Sequence, residues 1–458
     1  MLHFDPDLYT QETLSGYDGE INFRAWYHIP YADCPAAPDI QILHIFIPEA
    51  YFHGGIIRGY SARTAPIFFP NAIGGYMEAF PCCPALRHDG GFNTEAAALA
   101  HGYVVISAGA RGKNTQVNGR NVGKAPAAIV DLKAAVRFIR FIADQICGDT
   151  EKIIANGTSA GGALSALLAA SGDSPLYEPY LKEIGAAEKS DRIYAASCYC
   201  PITNLENSDM AYEWQYGHLT ELHTENWEWE RDHWKVTPVV YSISEERTAL
   251  SAQLCMSFPE YINRTAPRGL TMDEDGNGSF TESVKQRILQ SAELAAQTGT
   301  EIPAESGIVL AAGTVDFKNY CAYITRMKPP CAFDDPDMQT YENDLFGSET
   351  EHVRHFTQFG AKHSLHGGAC APREPIFLMN AMHFIGHDGC SQYWRIRHGA
   401  ADRDTSFAIP VLLAECLQDA EKDVDFCLPW GVAHSGDYDL PQLFAWIDSI
   451  ADRYRQCI

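Results

Sequence analysis

The 458-residue chain has no run of about 18 apolar residues, and this excludes a membrane-spanning helix. It has no excess of basic residues either. Thirty-four Lys and Arg stand against 59 Asp and Glu, a formal net charge of −25. Such a chain is not expected to bind nucleic acid or an anionic membrane, and its acidity fits plain solubility. None of its 14 cysteines stands in C-x-x-C spacing, so no metal or redox role is expected of them. Met1 to Thr10 carries neither the basic segment nor the apolar run of a signal peptide. A cytoplasmic protein with reduced, mostly buried thiols is expected. No internal repeat or low-complexity segment is present, so a repeat architecture such as a β-propeller is excluded.

What is present is organised around Glu151–Ser165. Ile153, Ile154 and Ala155 read as a short buried strand, and Gly162 to Ala170 reads as an Ala/Leu-rich helix. Between them lies Gly157-Thr158-Ser159-Ala160-Gly161, a G-x-S-x-G nucleophile elbow. A serine on so tight a turn has its Oγ pushed out at the sheet edge. The flanking glycines give room to the backbone, and the helix N-terminus favours a developing oxyanion.

Strands and helices alternate around this stretch. Strands are predicted at Ile21–Tyr27, Ile42–Ile47, Pro66–Pro70, Gly102–Ser107 and Ile193–Cys200. An amphipathic helix follows Pro126, with Ile129, Leu132, Val136 and Ile139 on its apolar stripe. From about 203 to 378 the alternation stops, and the segment is read as an insertion without a strand series. It resumes at Tyr393–Arg397 and Val424–Cys427, and a last helix follows Asp439 with Leu443, Ile447, Ile450 and Tyr454 buried. The pattern is that of an α/β protein with a mostly parallel sheet. Its domain would comprise residues 1–202 and 379–458, interrupted by 203–378.

A serine nucleophile needs a base and an orienting acid, in the chain order Ser, Asp or Glu, His for this elbow. His434 is the only histidine after the candidate acids. Asp402 and Asp404 stand just past a predicted strand. Asp402, the first to leave the turn, is taken as the acid, with Asp404 as the alternative. The oxyanion donors are expected to be the N–H of Ala160 and that of Gly74 or Gly75 in the loop Asn71–Tyr76.

Four stretches together resemble the bacterial tannases: Gly157–Gly162, Pro70–Tyr76, Gly123–Arg137 and Arg397–Ser406. The resemblance runs over nearly the whole chain. It implies an α/β-hydrolase fold in which the insertion is a large lid, and hydrolysis of galloyl esters. It implies the triad Ser159, Asp402 and His434. It also implies that Lys328, Glu342 and Asp404 grip the ring, since carboxylates accept from adjacent phenolic hydroxyls and an ammonium donates to their oxygens. Fungal tannases carry paired cysteines beside the triad. Ser159 and His434 have no cysteine neighbour in sequence, so the bacterial type is meant. Feruloyl esterases share the elbow and are the alternative. An acylaminoacyl-type peptidase usually brings a propeller, which is missing. A binding protein on an inactive scaffold is argued against by the intact triad.

One further motif stands apart. Asp273, Asp275 and Asn277 occupy positions 1, 3 and 5 of an EF-hand-like loop, with Gly278 at 6 and Val284 in place of the usual glutamate at 12. It suggests structural calcium. No cofactor is expected for catalysis, and the expected partner is a small phenolic ester.

Overall fold

The computed structural model describes residues 2–230, 233–267 and 269–455. Nine strands form one sheet: β1 (Thr10–Gly16), β2 (Gly19–Pro30), β3 (Ile42–Pro48), β4 (Pro66–Pro70), β5 (Val104–Ala108), β6 (Asp149–Thr158), β7 (Ala195–Tyr199), β8 (Tyr393–Arg397) and β9 (Asp423–Cys427). Their spatial order is β1-β2-β3-β5-β4-β6-β7-β8-β9. The first three strands and the β3–β5 pair are antiparallel, and from β5 to β9 every pairing is parallel. Strands β3, β4, β5 and β7 are buried along their whole length, as expected for a sheet covered on both faces. This is the α/β-hydrolase fold.

The helices that cover the sheet are α1 (Thr94–His101), α2 (Ala127–Phe141), α3 (Ala160–Ala170) and, after the insertion with its helices α4 to α7, α8 (Ala408–Asp419) and α9 (Leu440–Arg455). Leu443, Ile447 and Ile450 are buried as expected; the side chain of Tyr454 lies outside the described residues. Helix α2 departs from its predicted amphipathic character. Asp131, Lys133 and Arg137 are buried as well. Asp131 pairs with Arg111 at 2.7 Å, and Lys133 and Arg137 each meet Asp191 at 2.8 Å. Charges off the apolar stripe are thus neutralised in the interior rather than solvated.

The sequence reading missed strand β1, a long hairpin in the insertion, and two short antiparallel pairs, Gln116–Val117 with Arg120–Asn121 and Ile308–Val309 with Thr314–Val315. Strand β1 is a polar edge strand with no buried residue. Inside the insertion, Glu221–Glu230 and His233–Ser242 pair as an antiparallel hairpin. The second of these strands is exposed at nine of its ten positions, so it lacks the in-out alternation by which a half-buried strand is recognised. The rest of the insertion includes α4 (Leu205–Tyr216), α5 (Glu245–Thr265), α6 (Ser279–Gln297) and the short α7 (Tyr341–Leu345), with further short helices at Phe317–Ile324, Gln358–Lys362 and Arg373–Leu378. Helix α4 packs on α5 and, with α6, against α8. Phe258 and Ile288 from the insertion and Phe46 from the sheet belong to one continuous core. Among the described residues no helix is long and apolar enough to cross a membrane.

Candidate active site

Ser159 sits between β6 and α3 with φ 61° and ψ −122°, a left-handed conformation that a side chain adopts only where the surroundings enforce it. The neighbouring glycines explain how the turn is enforced. A Cβ on Gly157 would lie 2.4 Å from the carbonyl oxygen of Gly161, and one on Gly162 would lie 2.4 Å from that of Tyr199. Asn71 braces the turn from the loop after β4. Its Nδ2 donates to the Asn156 carbonyl at 3.1 Å and to Ser165 Oγ at 3.0 Å. That loop continues into Gly75 and Tyr76, both at positive φ, and Tyr76 Oη donates to the Ile202 carbonyl at 2.7 Å.

A cavity of about 590 Å³ opens over this turn. It is lined by Gly75, Ser159, Ala160 and His434 together with Lys328, Glu342 and Asp404. Every residue of the expected triad and ring grip faces it except Asp402, which lies buried behind His434. Gly74 is not among the lining residues, so Gly75 is the glycine of the pair that faces the cavity. Ala160 is the first residue of α3, where backbone N–H groups lack intrahelical acceptors.

Asp402 Oδ2 accepts from His434 Nδ1 at 2.8 Å, whereas Asp404 Oδ2 lies 3.8 Å from the same nitrogen. The Asp404 N–H donates to Asp402 Oδ1 at 2.8 Å. Of the two candidate acids, Asp402 therefore holds the imidazole. Burial pushes the Asp402 carboxyl up, but His398 and His434 beside it pull it further down, and it is held below the usual carboxylate range. For His434, burial acts downward, while hydrogen bonds to Asp402 and to the Cys200 sulfur raise it above the ordinary histidine value.

Cys200 is the neighbour that the linear sequence conceals. Its Sγ lies 3.9 Å from His434 Nε2 and 3.4 Å from the Ser435 carbonyl oxygen. The absence of a cysteine beside the triad thus holds along the sequence and fails in space. Cys200 follows β7, the strand adjacent to the elbow strand in the sheet, and the position of a strand in the sheet is not written in its residues. With Asp402 and His434 it forms the one His/Cys/acid group of metal-binding compactness among the described residues.

Lys328, Glu342 and Asp404 come from three separate segments. Lys328 Nζ donates to the Asp404 backbone carbonyl at 2.7 Å, stands 3.7 Å from Asp404 Oδ1 and lies over the Phe333 ring at 4.6 Å. Glu342 is buried in α7, and that burial pushes its carboxyl up, against the opposing pull of Lys328 and Lys113. Asp344, on the same helix, pairs with Lys113 at 2.7 Å and with Lys124. These two lysines, from the catalytic half of the chain, anchor the helix that carries Glu342.

Lys328 has its own anchor. Arg326 and Glu213, both fully buried, form a bidentate pair at 2.5 and 2.8 Å, and Arg326 Nε donates to the Lys328 carbonyl at 2.8 Å. Arg326→Leu strands the Glu213 charge in the interior. The expected result is a stability loss of roughly 3–5 kcal/mol, read as a fall in the urea midpoint, with the double variant Glu213→Leu/Arg326→Leu recovering most of it. If the single variant unfolds at the wild-type midpoint, the pair contributes nothing.

The Asp273 loop satisfies itself. Asp273 Oδ1 accepts from the N–H groups of Asp275 and Asn277 at 3.0 and 2.8 Å, and Val284, at the position of the missing glutamate, is buried in the core. These residues form an Asp-capped turn, and position 12 supplies no carboxylate for a calcium ion.

The BD-FAE family model, a feruloyl-esterase-like α/β-hydrolase family, matches residues 87–243. No curated protein sequence matches the chain. Solved structures do. The Fusobacterium nucleatum tannase superposes with a TM-score of 0.93 at 41% identity, over 98% of this chain and 99% of that one. A Lactobacillus plantarum tannase gives a TM-score of 0.93 at 41% identity, over 98% and 100%. A tannin acyl hydrolase in complex with ethyl gallate gives 0.90 at 41% identity, over 98% of both chains. Likeness at this identity over the whole length goes beyond a shared fold: the chain belongs to the bacterial tannases, carboxylic ester hydrolases of the α/β-hydrolase superfamily.

Proposed function

We propose that this chain hydrolyses galloyl esters and depsides to gallic acid through an acyl-enzyme, with the triad Ser159, His434 and Asp402. The observation that carries this reading is a single cavity lined by Ser159 and His434 together with Lys328, Glu342 and Asp404. His434 Nε2 takes the proton as Ser159 Oγ attacks the ester carbonyl, and returns it to the departing alkoxide. A water molecule, deprotonated in turn by His434, then attacks the galloyl-Ser159 ester and frees gallate. The N–H groups of Ala160 and Gly75 hold the oxyanion. The ring hydroxyls are read by Glu342 and Asp404 as acceptors and by Lys328 as donor. Residues 203–378 act as the lid domain, since they supply Lys328 and Glu342. Among the described residues thirteen cysteines are free thiols, which fits a reducing, cytoplasmic setting.

The BD-FAE match favours feruloyl ester hydrolysis as the second reading. A ferulate ring carries one free hydroxyl beside a methoxy group, so it cannot use three polar partners. Methyl gallate is expected to be turned over well ahead of methyl ferulate by the purified protein. Comparable or better turnover of ferulate decides for the second reading. Asp404→Asn tests the ring grip separately. It is expected to lower kcat/KM on methyl gallate by roughly ten- to a hundredfold, the worth of a hydrogen bond to a charged group, and to leave hydrolysis of a nitrophenyl alkanoate nearly unchanged. Equal losses on both esters would remove Asp404 from the ring site.

A further inference from the structure

His398 directly follows β8 on the way to Asp402, and its ring is fully buried. Its backbone N–H donates to the Cys427 carbonyl at 3.1 Å, which fixes the residue against β9. The Phe407 ring stands edge-on to it, with centroids 5.6 Å apart and planes at 90°. Neither ring nitrogen has a hydrogen-bond partner among the described residues. A buried imidazole in that state is costly, and an apolar side chain of similar size would be favoured there unless the imidazole did something else. The polar group it faces is the triad acid: Nδ1 lies 3.8 Å from Asp402 Oδ2. That carboxylate has no exposed surface, its Oδ1 accepts from the Asp404 N–H, and its Oδ2 accepts from His434. The titratable groups acting on His398 are Asp402, Asp404 and His434, and burial pushes the imidazole below the ordinary histidine value.

We propose that His398 is a positioning residue whose Nδ1–H faces the remaining lone pair of Asp402 Oδ2 and shares the carboxylate with His434. In surroundings without water, a donor at this distance acts on the full charge of the acid. It keeps Asp402 ionised and in register while His434 alternates between imidazole and imidazolium, and it moderates how tightly Asp402 holds the His434 proton. Without it Asp402 Oδ2 is left to His434 alone. The imidazolium is then bound more strongly and returns its proton to the leaving group less readily. The proposal rests on the triad reading above.

The test uses the full chain. His398→Leu and His398→Phe remove the donor, while His398→Asn keeps an amide N–H near the Nδ1 position. For the first two, kcat on methyl gallate is expected to fall roughly ten- to a hundredfold with KM unchanged. The acid limb of the kcat/KM profile is expected to move up by about one pH unit. His398→Asn is expected to restore both. Nitrogen-15 NMR of the unmodified protein is expected to find His398 neutral with its proton on Nδ1, a result that does not depend on how the variants fold. The Nε2–H tautomer, a folded His398→Leu with wild-type kcat and pH profile, or equal losses in the Leu and Asn variants would each overturn the proposal. Asp402→Asn separates this from the underlying reading. If that variant is itself active, the triad assignment fails and the proposal falls with it; if it is inactive and one of the three overturning results appears, only the role of His398 is lost.

Discussion

Ser159→Ala is expected to lower kcat on methyl gallate by roughly 10⁶-fold, the scale seen when a serine nucleophile is removed from a triad. Gallate affinity is expected to stay as it is. The two effects separate because the reacting and recognising groups lie on different segments. The nucleophile stands on the turn between β6 and α3, whereas Lys328 and Glu342 come from the insertion and Asp404 from the loop after β8. The variant also keeps the fold: alanine meets the same penalty at φ 61° that serine already bears. The measurement is single-turnover hydrolysis and gallate binding on one preparation. Residual turnover within a hundredfold of wild type would mean that another group attacks the ester. Loss of gallate binding together with turnover would mean that the ring does not sit where Lys328, Glu342 and Asp404 converge.

Asp402→Asn is expected to lower kcat by about 10⁴-fold on phenolic and simple esters alike. The amide cannot satisfy both of its neighbours. Its oxygen can accept from the Asp404 N–H or from His434 Nδ1, but the carboxylate accepts from both at 2.8 Å. If the amide NH₂ turns to His434, the imidazole must accept at Nδ1 and carries its proton on Nε2, where it cannot act as a base toward Ser159. The contrast with Asp404→Asn makes the result diagnostic, because that variant should discriminate between ring-bearing and plain esters. A mild Asp402→Asn beside an Asp404→Asn that cripples both substrates would transfer the acid role to Asp404.

Much of the site was legible because its chemistry is local. The glycines around Ser159 are dictated by contacts of 2.4 Å within the turn and against the next strand, and a turn that tight leaves a signature of consecutive residues. The chain order of a nucleophile elbow brought in Asp402 and His434. The choice between Asp402 and Asp404 was less secure. The two stand two residues apart in one loop, and only side-chain direction puts one at 2.8 Å and the other at 3.8 Å from His434. Lys328 and Glu342 carried no signal of their own. An isolated lysine and glutamate in an insertion read as surface, and only the resemblance to tannases singled them out.

The sequence by itself determined the alternation of buried strands and helices, the elbow and the order of its partners, since each depends on spacing along the chain. Only the tertiary structure decided what lies beside what. Cys200 reaches His434 because β7 is the sheet neighbour of β6. Lys113 and Lys124 hold α7 across more than two hundred residues. His398 lies behind Asp402 because the turn after β8 folds its ring inward. Asp131, Lys133 and Arg137 are interior rather than solvated because their partners, Arg111 and Asp191, arrive from other segments. Periodicity records which side of an element is apolar. It does not record which charge from elsewhere in the chain will neutralise a buried one, and in this protein that matching sets both the core of α2 and the surroundings of the triad acid.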